Sequence, residues 1–280
     1  MKTFVFLSFL FLIHLNGFSQ KRKTFKLSNE LNEISGLESV NDSLLIAHND
    51  GGNEPSLFVL NQKGKILKKC TITNSKNTDW EDLTKDDKGN LYIADIGNNA
   101  NKRRKVRILK VAIDSILNLD SVSATIYPFS YPDQKEFPPP NSNLYYDAES
   151  ISFFNDSLWI FTKCRSLPFD GKSKIYAIHP KDLKEGNWDM KGEIIPGIKD
   201  WKYDSFTAST VYMNTFFLIT YNKMIVVKRK SNSFEILKKK RFLKFNQRES
   251  IAITPSGKIF IASEGHWLLG KQHLICYKNE

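Results

Sequence analysis

The feature of this 280-residue chain that most constrains its fold is a short pattern that occurs five times. Each copy has a hydroxyl or carboxylate residue, a few apolar residues, a turn and then a hydrophobic strand. The copies are ISGLESVNDSLLIAH, WEDLTKDDKGNLYIAD, AESISFFNDSLWIFT, FTASTVYMNTFFLIT and RESIAITPSGKIFIAS. Recurrence of one such unit is typical of a repeat architecture, in which neighbouring copies bury one another's apolar faces.

One aligned position of these repeats carries an oxygen-bearing side chain in every copy. It lies nine or ten residues before the strand that follows, and its occupants, called here the column residues, are Ser35, Glu81, Glu149, Thr207 and Glu249. Three carboxylates and two hydroxyls, one from each repeat, predict a ring of oxygen ligands around a central axis.

Further strands follow in each repeat, which makes the repeating unit a four-stranded sheet. Third-strand candidates are 56–61, 105–111, 173–179, 224–230 and 273–278, and fourth-strand candidates are 65–73, 123–131, 192–197 and 234–242. Four-stranded units that recur every 40 to 70 residues, with turn sequences between the strands, predict an all-β protein of the β-propeller class.

Closure of the ring follows from the two ends of the chain. The fifth repeat ends without a fourth strand, whereas residues 22–27 form a strand without a partner of their own. Pairing of the two would remove an exposed sheet edge. We therefore expect five blades, which lie at roughly 22–27 with 247–280, 33–74, 80–131, 147–197 and 204–243. A sixth, degenerate blade is the alternative, because residues 113–146 contain more chain than a turn needs.

The N-terminal segment has the composition of a signal peptide. Lys2 precedes an apolar run at 4–15 that is too short to cross a bilayer, and Gly17 and Ser19 are the small residues before a cleavage site at Gln20. We expect residues 1–19 to be removed and residues 20–280 to form one propeller domain. The protein should then be exported, to the periplasm or the exterior, without a transmembrane segment.

Charge and cysteine content narrow the choice of partner. Lys and Arg number 41 against 30 for Asp and Glu, a surplus that fits an anionic small molecule or an anionic cell-surface polymer. An exported protein rarely meets nucleic acid, and basic runs on loops are usually solvated faces, so no nucleic-acid role is expected. The three cysteines show no paired spacing, which predicts neither a disulfide framework nor a zinc site. We expect a monomer.

Blade geometry predicts which loops join the column residues. The innermost strand of a blade lines the channel, and antiparallel pairing places its start beside the end of the second strand. The column residues should therefore surround one mouth of the channel, with the loops after the second strands above them. Those loops carry Asp50, Asp95 and His48 as candidate catalytic groups, and Lys163, Arg165, Lys223 and His266 as candidate ligand-binding groups.

Converging carboxylates raise one another's pKa unless a cation lies between them. Calcium accepts about six to eight oxygen ligands in loose geometry, so we predict a calcium site formed by the column residues. Asp50 and Asp95 could act as bases or second metal ligands, the basic residues could bind a phosphate or carboxylate, and His48 and His266 could move protons. The alternative is that the column residues only hydrogen-bond to neighbouring blades.

The chain resembles several groups of exported propellers. The column residues, with ISGLESVNDSLLIAHND, KCRS and YNK, are similar to features of the soluble calcium-dependent apyrases, which are five-bladed propellers with an axial calcium ion. This resemblance implies that Ser35 is a calcium ligand and that Asp50 lies in an acidic active-site loop. EISGLESVNDSLLIAHND is also similar to the opening blade of the secreted esterase-like phytases and of quorum-regulator-linked lipoprotein propellers. DWEDLTKDDKGNLYIADIGNN resembles exported propellers without an assigned activity.

Two functional hypotheses follow. The first is an exported, calcium-binding propeller whose mouth binds an anionic small molecule, with phosphoester hydrolysis as the candidate reaction. The second is a non-enzymatic binding or scaffold propeller, because propellers host many unrelated functions. A sugar-acid lactonase fits less well, since its usual Glu, Asn and Asp set has no clear counterpart here.

Overall fold

The computed structural model describes residues 22–231 and 233–277, and the regular structure of this part is almost entirely β-strand. The predicted signal peptide, residues 1–19, lies outside the described residues. The strands form five antiparallel sheets, one per repeat, arranged as the blades of a propeller. No helix among the described residues is long and apolar enough to cross a membrane.

The chain begins with β1 (Arg22–Lys26), which belongs to the last blade. Blade 1 consists of β2 (Ile34–Ser39), β3 (Leu44–Asn49), β4 (Ser56–Asn61) and β5 (Ile66–Ile72). Blade 2 begins with β6 (Trp80–Lys85), β7 (Asn90–Asp95) and β8 (Val106–Ala112). The chain then forms the helix α1 (Ile113–Asn118), the short strand β9 (Ser121–Val122) and β10 (Thr125–Phe129), the last of which is the fourth strand of blade 2.

The remaining blades follow the same order from the channel outwards. Blade 3 consists of β11 (Asp147–Phe154), β12 (Ser157–Lys163), β13 (Ser173–Ile178) and β14 (Asp189–Ile194). A one-turn helix, α2 (Trp201–Asp204), leads into blade 4, which consists of β15 (Ala208–Tyr212), β16 (Thr215–Ile219), β17 (Lys223–Arg229) and β18 (Phe234–Arg241). Blade 5 contains β19 (Arg248–Ile253), β20 (Ile259–Ser263) and β21 (His273–Tyr277).

The predicted closure and the predicted number of blades are confirmed. β1 pairs with β21 over five residue pairs, from Arg22↔Tyr277 to Lys26↔His273. Residues 113–146 form no sixth sheet: β9 joins the edge of blade 1 in parallel with β5, and β10 completes blade 2. The extra chain that suggested a sixth blade is therefore α1, β9 and a long loop.

The apolar core lies between adjacent blades, not in one central mass. Alternate residues of each strand point to opposite faces of its sheet, so every blade has an apolar face towards each neighbour. Trp80 of blade 2 packs with residues of blade 1, and Phe216 of blade 4 packs with residues of blade 3. Because the last blade packs on the first in the same way, the ring is closed by hydrophobic contact as well as by β1.

One buried carboxylate connects three blades along the channel. Asp82 accepts hydrogen bonds from the backbone N–H groups of Leu83 (2.9 Å), Ile151 (3.0 Å) and Ser209 (3.2 Å), which belong to blades 2, 3 and 4. A side-chain hydroxyl also links two blades, since Ser39 of blade 1 donates a hydrogen bond to the carbonyl of Ile253 in blade 5 at 2.8 Å. The inner strands are therefore held in fixed positions around the mouth.

Candidate functional site

The column residues share a backbone feature that residue spacing alone does not reveal. In blades 2, 3 and 5 the pairing between the first and second strands skips one residue, and that residue is Glu81, Glu149 or Glu249. In blade 1 the skipped residues include Ser35. A bulge of this kind re-aims a side chain and is frequent beside functional sites. Because the skipped residue is freed from the strand ladder, we infer that the bulge sets the direction of these side chains.

The two hydroxyl members of the column act as ties between blades. Ser35 Oγ donates to the carbonyl of Glu81 at 2.6 Å, and Thr207 Oγ1 donates to the carbonyl of Arg248 at 2.6 Å. Each bond joins one blade to the next around the ring. These bonds account for both hydroxyl side chains without a metal ion, so in this respect the structure favours the alternative of structural hydrogen bonds.

Thr207→Val should therefore lower the stability without weakening the response to calcium. Valine keeps the shape and leaves the buried Arg248 carbonyl without its donor, which costs about 1 to 2 kcal/mol of the free energy of unfolding. Chemical denaturation measures the loss, and Thr24→Val, on the exposed strand β1, is the matched control. A calcium-induced stabilisation that falls in Thr207→Val would show instead that the hydroxyl is a ligand.

The carboxylates of blades 1, 2 and 3 converge at the mouth in two overlapping groups. One group is Asp50, Asp79 and Glu81, and the other is Glu81, Asp147 and Glu149; within each group, one oxygen per residue lies within 4.8 Å of the others. Glu81 belongs to both groups. The backbone of Gly97 lies against this cluster, and a side chain there would collide with Glu81 and Asp79.

Glu81 is the carboxylate of the cluster whose negative charge is least offset by neighbouring groups. Its side chain is buried, and within the described residues its carboxylate neither accepts a hydrogen bond nor pairs with a cation. Burial raises its pKa well above the ordinary value, and the neighbouring Glu149, Asp50, Asp147 and Asp79 raise it further. A carboxylate in this position must hold a proton or contact a cation.

Burial also raises the pKa of other carboxylates at the mouth, namely Asp50, Asp79, Glu249 and Glu264. Burial, followed by repulsion from nearby carboxylates, raises the pKa of Asp50 to about 7, of Asp79 to about 6 and of Glu264 to about 8. Burial and the charge of Glu264 raise the pKa of Glu249 well above its ordinary value. We call these carboxylates the mouth carboxylates: Asp50, Asp79, Glu81, Asp147, Glu149, Glu249 and Glu264.

Two predicted ligand-binding residues, Lys163 and Arg165, lie among the mouth carboxylates. Lys163 Nζ lies 2.7 Å from Glu149 Oε1, and Arg165 Nε lies 2.7 Å from Asp147 Oδ2. Burial disfavours the charged form of Lys163, but Glu149 and Glu249 outweigh it and raise the Lys163 pKa. Both cations are therefore charged, and both are already paired.

Two aromatic rings complete this side of the mouth. Lys163 Nζ lies 5.8 Å from the ring centre of Trp201 and 5.4 Å from that of Tyr221, and the Arg165 guanidinium lies 5.1 Å from Trp201. The Tyr221 hydroxyl also hydrogen-bonds to Glu249. Trp201 is partly exposed, so a ligand in the mouth can reach an indole face beside two cations.

The remaining candidate residues make contacts within the protein that the repeat pattern does not predict. Asp95 is fully buried and uses both oxygens in ion pairs with Arg103 and Arg107, and Lys223 pairs with Asp204. His48 is fully buried against Trp80, and burial lowers its pKa to about 4, so it is neutral and shielded from solvent. His266 packs on Trp267 within its own loop. These contacts give each of the four residues a structural role, whereas the sequence predicted that they act on a ligand.

Asp79 and Asp147 were absent from the predicted metal site, although the sequence contains a signal for both. Asp79 stands two residues before Glu81, and Asp147 stands two residues before Glu149. The repeated D-x-E pattern, at the start of the inner strands of blades 2 and 3, places both acids of each pair in one cluster. Glu264, Trp201 and Tyr221 come from loops, and no regular spacing relates them to the column.

Comparison with known proteins supports the fold and leaves the reaction open. No protein-family model matches the chain, and no curated protein sequence does. The structure of Myxococcus xanthus glutaminyl cyclase aligns with a TM-score of 0.53 at 10% identity, over 91% of this chain and 93% of that one. A streptogramin B lyase aligns at 0.48 and 13% identity, over 92% and 98%, and a PQQ-bound aldose sugar dehydrogenase from Streptomyces coelicolor at 0.47 and 10%, over 92% and 98%.

At such low identity, the glutaminyl cyclase likeness supports the fold alone. The chain is a five-bladed β-propeller. The resemblance to apyrases and phytases stays a prediction, and function has to be argued from the mouth.

Proposed function

We propose that this propeller is an exported calcium-dependent protein whose mouth binds a small molecule carrying a phosphate or carboxylate group, with phosphoester hydrolysis as its reaction. The observation that carries the proposal is Glu81: a buried carboxylate without a partner among the described residues, at the centre of other carboxylates. The seven mouth carboxylates face two cations, Lys163 and Arg165. This excess of negative charge favours a cation as the first ligand.

The chemistry of the donors fits calcium. All three side chains of the group Asp50, Asp79 and Glu81 offer carboxylate oxygens, the hard ligands that calcium prefers, and the site contains no sulfur or imidazole ligand. Glu81 is common to both groups, so an ion in either group contacts it. When bound, the ion would lower the pKa of a coordinated water and offset the charge of an incoming phosphate.

The residues around the ion site have the protonation states that hydrolysis needs. Asp50, with a pKa of about 7, can accept the proton of the water whose oxygen attacks phosphorus. Glu264, with a pKa of about 8, holds a proton at neutral pH and can donate it to the ester oxygen as the phosphorus–oxygen bond breaks. Trp201 supplies an aromatic face for the rest of the molecule, and Arg165 can share its charge between Asp147 and the phosphate.

The proposal is tested by measuring the rate of phosphate release from a panel of nucleotides, phosphomonoesters and phytate in the presence of calcium. We expect hydrolysis of at least one class, and a loss of about 100-fold in kcat with Glu264→Gln because the proton donor is replaced by an amide. Glu54→Gln, an exposed residue paired with Lys69 on blade 1, is the control and should leave the rate unchanged. Absence of turnover on every member, with calcium shown to be bound, would contradict the enzymatic part.

A non-enzymatic binding or scaffold propeller is the second candidate, and one observation favours it. Lys163 and Arg165 are already paired with Glu149 and Asp147, so neither is a vacant anion site. In that case calcium would stabilise the mouth and no substrate would be turned over. The same panel separates the two candidates.

A further inference from the structure

Large apolar side chains are exposed mainly on the mouth face of blades 3, 4 and 5. Of thirteen such residues in the described chain, eight lie in four loops that open on this face: 164–172, 195–207, 242–247 and 264–272. Leu243 is 87% exposed, Trp267 86% and Ile198 73%. The corresponding loops of blades 1 and 2 contribute none of the thirteen. An apolar surface restricted to one sector of one face is typical of a docking surface.

The loop of blade 5 holds its apolar residues at an ordered tip. His266 and Gly270 exchange backbone hydrogen bonds of 2.8 and 2.9 Å, so residues 267–269, with the sequence Trp-Leu-Leu, form the end of a hairpin. The His266 ring stacks on Trp267 and accepts the N–H of Leu268 at 3.1 Å. The neighbouring loop at 242–247 is tied to this hairpin through Gln247 and Glu264. The fold therefore presents these apolar side chains to solvent in a fixed arrangement.

Exposed lysines accompany the exposed apolar residues along the same rim. Ile198 precedes Lys199, Trp201 precedes Lys202, Leu243 precedes Lys244, and the Trp-Leu-Leu tip is followed after one glycine by Lys271. All four lysines are exposed, and within the described residues none forms an ion pair. Aromatic and aliphatic side chains that lie beside lysines suit the boundary between lipid headgroups and acyl chains.

A basic cavity between blades 4 and 5 is continuous with this rim. It has a volume of about 220 Å³ and is lined by Arg22, Lys240 and Arg241 together with apolar residues that include Met224, Phe242 and Leu243. No acidic side chain contributes to its lining. Leu243 belongs both to the rim and to this cavity, so an apolar chain that enters beside Leu243 would lie in a cavity whose lining includes three cationic groups.

We propose that the rim formed by these loops of blades 3, 4 and 5 docks on a lipid bilayer that contains anionic phospholipid. Charge complementarity selects this partner, because the rim combines apolar insertion residues with lysines and the chain carries a formal net charge of +11. A soluble acidic polymer would account for the lysines and not for the Trp-Leu-Leu tip. Docking in this way would turn the mouth towards the membrane, so that ligands released at the bilayer reach it first.

Sedimentation with vesicles tests the proposal. The chain from Gln20, which contains all five sheets, is mixed with phosphatidylcholine vesicles with or without about 30% phosphatidylglycerol, in chelator and without substrate. We expect binding to the anionic vesicles only. The double variant Trp267→Ser, Leu268→Ser and the fourfold variant with Gln at 199, 202, 244 and 271 should each weaken this binding by at least about tenfold.

The controls lie on the opposite face. Met213→Ser removes a side chain that is 68% exposed in the β15–β16 turn, and Lys63→Gln removes an exposed lysine in the β4–β5 turn; both variants should bind like the natural protein. Absence of binding to the anionic vesicles, equal binding to neutral and anionic vesicles, or unchanged binding by the two rim variants would overturn the proposal. Since the assay contains neither calcium nor substrate, its outcome is independent of the proposed reaction.

Discussion

Replacing Glu81 with glutamine should change the melting temperature in opposite directions with and without calcium. In chelator the variant should melt higher than the natural protein, because the buried Glu81 carboxyl must take up a proton on folding at neutral pH and the glutamine amide need not. With about 1 mM calcium the natural protein should gain stability and the variant should not. For a dissociation constant of about 10 µM the gain is about 2.7 kcal/mol, or roughly 5 to 10 °C for a domain of this size.

Differential scanning fluorimetry in the two buffers measures both effects. Glu54→Gln is the matched control, because Glu54 is exposed and pairs with Lys69 outside the mouth; its melting temperature should rise with calcium as in the natural protein. A Glu81→Gln variant that still responds fully to calcium would contradict the assignment of Glu81 to the ion site.

The stabilisation by calcium should itself increase with pH. Three of the mouth carboxylates have pKa values that are raised in the folded protein above those in the unfolded chain, to about 6 for Asp79, about 7 for Asp50 and about 8 for Glu264. Between about pH 4 and these values the folded state binds more protons than the unfolded state. The metal-free protein therefore loses stability as the pH rises, by about 1.4 kcal/mol per pH unit for each such group.

Calcium displaces the protons of the carboxyls that it contacts, Glu81 and the other members of its group, so its stabilising effect has the opposite dependence on pH. The difference in melting temperature between calcium and chelator should be small at pH 5, where the carboxyls hold protons, and largest near pH 8. Taking this difference cancels the titration of groups far from the mouth. A difference that is constant from pH 5 to pH 8 would show that the ion does not bind to these carboxylates.

The fold could be predicted because each repeat contains the sequence pattern of its own strands and turns. Residues 56–61 are predicted and found as a strand, and β1 closes the ring as the missing fourth strand of the last repeat requires. The uncertainty over a sixth blade arose at 113–146, where α1 and the two-residue strand β9 have no counterpart in the other repeats. Insertions of this kind do not recur along the chain, so the spacing of the repeats does not predict their structure.

The site could be predicted only in part, because the aligned position of a residue in the repeats gives its place in the blade and not the groups that its side chain contacts. Alignment of the repeats located Glu81 and Glu149 at the mouth, and the bulges at these two residues follow from neither hydrophobicity nor spacing. Ser35 and Thr207 occupy the same column, yet their short side chains reach a neighbouring carbonyl first. Asp95 was predicted as a base or second metal ligand, and both of its oxygens form ion pairs, with Arg103 and Arg107. Such pairings depend on contacts between loops that the repeat pattern does not encode.

A crystal structure of the protein grown with calcium and analysed by anomalous scattering tests the calcium site most directly. We expect an anomalous peak within coordination distance of Glu81, between Asp50 and Asp79 or between Asp147 and Glu149, and no such peak in crystals of Glu81→Gln. An ordered mouth without a peak, with Glu81 hydrogen-bonded as a neutral acid at neutral pH, would contradict the calcium site and the proposed function that depends on it.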